Sequence, residues 1–128
     1  RRDDALRIDG ALSAAAANID LVKTVARAGP FGAGNAEPVF AIPAPSIAYA
    51  DPVGQGHVRV PLKSGDGALL NGIAFRAADK PLGRALLEAR GQNLHVAGTI
   101  SIDRWQGAER VQLRLLDAAP VAPASGLR

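Results

Sequence analysis

Cysteine is absent from the 128-residue chain, which excludes disulfide staples, thiolate nucleophiles and cysteine-based zinc sites and leaves the redox compartment undetermined. Histidine is scarce. The two copies, His57 and His95, stand in no metal-binding spacing such as His-Glu-x-x-His, and on a sheet each reads as a surface histidine. No apolar run approaches the roughly 18 residues that a membrane helix needs, and Arg1-Arg2-Asp3-Asp4 does not read as a signal peptide. A soluble, cytoplasmic protein with no membrane partner is expected. Aromatic residues number one Trp, one Tyr and three Phe, so Ala, Val, Leu and Ile must build the core and few rings are left to stack on bases.

Enzymatic chemistry needs groups that move protons, attack a substrate or hold a metal. Two histidines and scattered carboxylates form no self-contained active site, and Asp3-Asp4 could hold a divalent ion only with partners that the sequence does not supply. The expectation is a chain with no catalytic residues, no metal ligands and no cofactor of its own.

What is present begins with charge. The formal net charge is +3, and its location says more than its size. Between His57 and Arg114 nine Lys or Arg face five acids, so the positive excess is concentrated in one segment. Such a bias suits a polyanion, although many solvated surfaces share it.

Along the chain, Leu12, Ala15, Ala16, Ile19, Val22, Val25 and Ala26 keep the 3, 4, 7 spacing of one helical face and predict a helix over 11–28. Lys23 and Arg27 suit its C-terminal dipole end, and Gly29-Pro30 stops it. Residues 29–38 hold three Gly and two Pro and read as an irregular connection. Residues 39–50 predict a first strand bent at Pro43 and Pro45, followed by a loop over 51–56. His57 to Lys63 alternates strictly, with Val58, Val60 and Leu62 inward and His57, Arg59 and Lys63 outward. Ser64-Gly65-Asp66-Gly67 is a hairpin signal leading to a third strand over 68–76. Asp79 or its neighbour caps a helix that starts at Pro81 and stops at Gly91. A fourth strand over 93–103 turns inward Leu94, Val96, Gly98, Ile100 and Ile102, and outward His95, Ala97, Thr99 and Ser101. A turn at 104–109 leads to a fifth strand with Val111, Leu113 and Leu115 inward and Arg110, Gln112 and Arg114 outward.

Three strands, a helix and two strands is the element order of an OB-fold, a five-stranded Greek-key barrel with its helix between strands three and four. Small barrels of the SH3 type and small sandwiches share the short alternating strands; the position of the helix decides between them. The fold class is therefore mainly β, with an N-terminal connecting helix in residues 1–28, the OB domain in 29–117 and a flexible tail in 118–128. Gly32-x-Gly34 is no phosphate cradle, since the strand-loop-helix order that aims amides and a helix dipole at a phosphate is reversed here.

OB-folds engage single strands on the face around strands two and three, between the loops that join strands one and two and strands four and five. The residues placed there are His57, Arg59 and Lys63 on strand two, Arg76 at the end of strand three, and Arg104, Trp105 and Arg110 at the last hairpin. Lys and Arg would meet phosphates in a salt-dependent manner, and Trp105 would stack a base for about 1–3 kcal/mol. Trp105 would equally serve as a plug on the barrel end, Phe40 and Phe75 read as core, and Tyr49 is undecided.

The segment Gly-Pro-Phe-Gly-Ala-Gly-Asn-Ala-Glu-Pro-Val-Phe from Gly29 to Phe40 resembles the Pro-Phe-Gly-x-Gly-Asn-Pro-Glu-Pro-x-Phe signature that opens the OB domain of bacterial RecJ exonucleases, with Ala36 replacing the usual Pro. Gly72-Ile73-Ala74-Phe75, the run from Val96 to Trp105, and Val111-Gln112-Leu113 are similar to later strands of that domain. The resemblance implies a piece of a 5′-to-3′ exonuclease specific for single-stranded DNA, used in recombination and repair. Hydrolysis in that family belongs to upstream DHH and DHHA1 domains, which hold manganese or magnesium and whose motifs are not found here. Single-stranded DNA and those catalytic domains are the partners so implied. Two further readings are a domain that packs on the catalytic core or recruits a protein, with little DNA affinity, and an independent hydrolase, which would need carboxylates clustered in a cleft.

Overall fold

Pro43 and Pro45 cannot donate to a ladder, and around them one long first strand becomes three short ones. In the computed structural model, which describes residues 6–32 and 34–121, the elements are β1 (Gly10–Ala11), α1 (Ile19–Ala26), β2 (Phe40–Ile42), β3 (Ser46–Ile47), β4 (Asp51–Val53), β5 (His57–Lys63), β6 (Leu69–Ala74), α2 (Pro81–Glu88), β7 (Gln92–Trp105) and β8 (Ala108–Pro120). β2 and β3 pair antiparallel with β7, and β3 and β4 antiparallel with β5. β5 pairs with β6, β6 runs parallel to β8, and β8 returns antiparallel to β7. With β2 to β4 acting as one bent strand, the ring closes as a five-stranded OB barrel, and β1 adds to its outside on β2.

The strict alternation of β5 is realised in its burial: Val58, Val60 and Leu62 are fully buried while Arg59 and Lys63 are exposed. Ile47, Leu86 and Leu113 join them in one apolar cluster, each burial stabilising by about 1.5–3 kcal/mol. The parallel pairing of β6 and β8 needs a crossover, which α2 and β7 supply. Pro81 opens α2 behind an N-cap at Lys80 that makes no side-chain cap bond; the helix packs on β5 and β8 and inserts Leu86. Gly83 is required inside it, since a Cβ there would collide with the carbonyl of Ala77.

The structure corrects several expectations. α1 is eight residues long and starts at Ile19, not Ala11. Gly10 and Ala11 instead pair parallel with Phe40 and Ala41, and Asp9 exchanges bonds with Val39, donating its amide to the carbonyl at 2.8 Å and accepting the amide on Oδ2 at 2.9 Å. Ser13 Oγ accepts the Ala16 amide at 3.1 Å, and Asn18 Oδ1 caps the helix through the Leu21 amide at 2.9 Å. Local side-chain bonds and the burial of Ala14 and Ala17 thus override the helix propensity of the alanine run. The expected 51–56 loop shrinks to Gly54–Gly56, because Asp51–Val53 pair with β5. Ala97, expected outward, is buried although Leu94, Val96, Gly98 and Ile100 keep one inward phase along β7; the register shift beside it leaves Leu116 of β8 without a partner, so the bulge lies in β8. β8 continues past Asp117 to pair Ala118–Pro120 with Leu94–Val96, so the first tail residues are ordered by a ladder, and residues 122–128 lie outside the described ones.

Candidate nucleic-acid interface

Side chains alternate across a strand, so the row opposite the buried residues of β5 is His57, Arg59, Pro61 and Lys63. Register sets Arg59 beside Ile73, Pro61 beside Asn71 and Lys63 beside Leu69 on β6, and Ile73 beside Arg114 on β8. One outer sheet face thus carries cations interleaved with exposed apolar side chains. Phe75, read from sequence as core, is 43% exposed, and Tyr49, between β3 and β4, is 42% exposed.

Both rings are held by cations. The Arg59 guanidinium lies 6.0 Å from the Tyr49 centroid and that of Arg114 lies 5.4 Å from the Phe75 centroid, within cation–π range. His57 meets Phe75 edge-on, 5.1 Å between centroids at 80°. The His57 ring is in turn fixed, because its Nδ1 accepts the Arg76 amide at 2.8 Å. Arg76 has φ +54° there, an unfavourable backbone region for a side-chain-bearing residue, so the bond to His57 stabilises a strained corner at the end of the face.

At the opposite side, the hairpin of β7 and β8 turns at Gln106-Gly107, both with positive φ. Its cations are engaged: Arg104 Nη2 with Glu109 Oε2 at 2.9 Å, and Arg110 Nη2 with Asp103 Oδ2 at 3.0 Å. The Arg104 pair, on an exposed guanidinium, contributes about 0–1 kcal/mol, so a phosphate can compete for it, whereas the Arg110 pair is half-buried. A groove of about 490 Å³ runs from this hairpin along the sheet face to the start of α1; Asn18, Ile19, Arg59, Leu69, Asn71 and Arg110 line it.

His57, Arg59 and Lys63 therefore share one row, Arg76 adjoins His57, and Arg110 meets Arg59 at the groove. Arg104 is drawn towards Glu109. Trp105 ends β7 opposite Ala108, and its side chain lies outside the described residues, as do Asp3 and Asp4. Sequence reasoning missed Tyr49, Phe75 and Arg114 as members of the site. The signal for Phe75 was parity: Leu70, Gly72 and Ala74 are buried, so Phe75 shares the outward phase of Asn71 and Ile73.

His95 has a structural partner. Its Nδ1 accepts the Ala44 amide at 3.0 Å, and Asn93 donates to the Ala44 carbonyl at 2.7 Å, which fixes the kink between the two prolines of the first strand. In the Gly29–Pro38 connection, the Asn35 side-chain amide donates to the Pro30 carbonyl at 2.6 Å, and Gly32 and Asn35 exchange backbone bonds; the loop is shaped from within. Phe31, with Val22, Val25 and Ile102, lines a second, apolar groove of about 390 Å³ between α1 and β7. Among the described residues, no three His, Asp or Glu are grouped so as to hold a metal ion, and no helix is long and apolar enough to cross a membrane.

The family described as the RecJ OB domain matches residues 8–117. Among solved structures, RecJ from Thermus thermophilus in complex with Mg2+ is similar over 83% of this chain and 16% of its own, with a TM-score of 0.54 and 23% identity. RecJ from the same organism in complex with Mn2+ is similar over 81% of this chain and 15% of its own, at 0.54 and 24%. This chain thus spans a small part of those proteins, and at such identity the likeness concerns the fold. No curated protein matches the chain.

Proposed function

Because the chain belongs to the RecJ OB domain family, we propose that it holds single-stranded DNA for a RecJ-like 5′-to-3′ exonuclease acting in recombination and repair. Hydrolysis would belong to the DHH and DHHA1 domains of the same protein, with their manganese or magnesium, and this chain would contribute no catalytic residue. In this reading the body that grips the strand is the OB barrel of residues 29–117, and residues 1–28 link it to the catalytic part.

The observation that carries the reading is the pair of cation-backed rings on one sheet face. Tyr49 with Arg59, and Phe75 with Arg114 and His57, offer π-faces to successive bases while Arg and Lys neutralise phosphates. Stacking of this kind accepts any base, since every base has a π-face. A duplex hides those faces, so the single strand is the preferred form. The binding set is His57, Arg59, Lys63, Arg76, Arg104, Trp105 and Arg110, to which Tyr49, Phe75 and Arg114 are added.

The test is fluorescence anisotropy of a labelled single strand of about 20 nucleotides, comparing the chain with an Arg59→Ala, Lys63→Ala, Trp105→Ala variant. Salt-sensitive binding that the variant loses supports the module; binding that survives in the variant removes this face from the account. A second reading, a domain that packs on the catalytic core or on another protein, draws on the apolar groove beside Phe31. An absence of DNA binding even at low salt would favour it.

A further inference from the structure

We propose that the groove between the sheet face and the start of α1 seats one nucleobase of the bound strand, so that the segment before the barrel is a wall of the site and not only a connection. The inference rests on the single-strand reading above and adds a subsite to it.

Three observations point to a base. The groove, of about 490 Å³, lies within the roughly 300–1,000 Å³ usual for small-ligand sites. Pro61, Val111, Ile19 and Leu69 give it apolar wall, which the polar Arg59, Asn71, Glu109 and Arg110 interrupt. Leu69 is 70% exposed, and an inserted ring would cover it. Asn71 is half-buried on the groove wall, and among the described residues its side-chain amide makes no hydrogen bond to the protein. An amide that presents one donor edge and one acceptor complements the edge of a base, which also offers both.

Charge and continuity favour a nucleotide of the same strand over another occupant. Arg59 belongs at once to the groove and to the Tyr49 pair, so a strand stacked on Tyr49 arrives at the groove without leaving the face. Arg110 stands at the hairpin side, balanced by Asp103, where the next phosphate would pass. Asn18 is already committed to capping α1, which holds the wall in place before any strand arrives.

The experiment uses the whole chain, 15N-labelled, titrated with a strand of about 12 nucleotides, inside the 4–16 range of OB sites, and with the same strand made wholly abasic. Expected are shifts at the Asn71 side-chain amide and at the Ile19 and Val111 backbone amides with the ordinary strand, absent with the abasic one. Asn71→Leu, of similar volume, should shrink the affinity gap between the two strands about fivefold while its spectrum keeps the folded dispersion. Shifts around Tyr49, Arg59 and Phe75 without any at Ile19 or Asn71, or groove shifts that persist with the abasic strand, would overturn the base seat and leave the single-strand reading standing. No shift anywhere at low salt would overturn both.

Discussion

Arg114 on β8 sets its guanidinium carbon 5.4 Å from the ring centroid of Phe75, which follows β6 directly. The ring is held from two sides, by Arg114 and by the edge contact with His57, yet stays 43% exposed. A pre-positioned ring loses little side-chain freedom when a base stacks on it.

Phe75→Ala is therefore expected to weaken single-strand binding by about 1–3 kcal/mol while shifting the thermal midpoint little, since an exposed ring contributes modestly to the core. Anisotropy and a melting curve on the same sample separate the two effects. A large loss of stability with unchanged affinity would return Phe75 to a packing role.

Arg59→Ala and Lys63→Ala should each flatten the dependence of affinity on salt. One phosphate contact on a single strand contributes about −0.7 to the slope of log K against log salt, so each variant should lose about that much, uniformly over sequences. An unchanged slope would mean that these cations face only solvent.

The barrel was legible in the sequence because its strands obey a strict period of two and turns sit between them: Val58, Val60 and Leu62 alternate with His57, Arg59 and Lys63, and Pro81 and Gly91 bracket α2. The alanine run before α1 was misread, since propensity cannot see that Ser13 and Asn18 cap and turn locally or that Ala14 and Ala17 pack into the core. Ala97 was misplaced because its burial depends on the chain that neighbours β7, such as Ala41 opposite it, which is invisible along one strand. His57, Arg59 and Lys63 were found by parity and charge. Tyr49, Phe75 and Arg114 were not chosen as site residues: parity with Asn71 and Ile73 put Phe75 outward, but its aromatic character favoured a core reading, and only register brings it beside both His57 and Arg114.

Gly83→Ala tests the packing of the helix that closes the barrel. The added Cβ would collide with the Ala77 carbonyl, and backbone cannot swing aside as a flexible side chain does. A loss of about 1–3 kcal/mol in urea unfolding is expected, although alanine has the better helix propensity. An equal or higher midpoint would show that α2 sits less tightly on the segment before it.

The β5–β6 hairpin carries a pH-dependent element. Asp66 accepts hydrogen bonds from the Ser64 hydroxyl and the Ala68 amide, and these hold its carboxyl below the ordinary aspartate value of 3.8. A depressed value in the folded chain means a contribution present above pH 3.8 and lost as pH falls through the folded value. Asp66→Asn should melt slightly below the wild type at neutral pH, and the difference should close under acid. Melting curves at pH 7 and in strong acid check this; a constant difference would contradict it.

The central claim is that one face of this barrel grips a single strand through rings and cations, and competition between labelled single-stranded and unlabelled double-stranded DNA of about 20 nucleotides, at low and moderate salt, tests it most directly. The account predicts tighter binding of the single strand at both salts, weakening as salt rises, with duplex a poor competitor. Equal affinity for the two forms, or no binding to either at low salt, would contradict it.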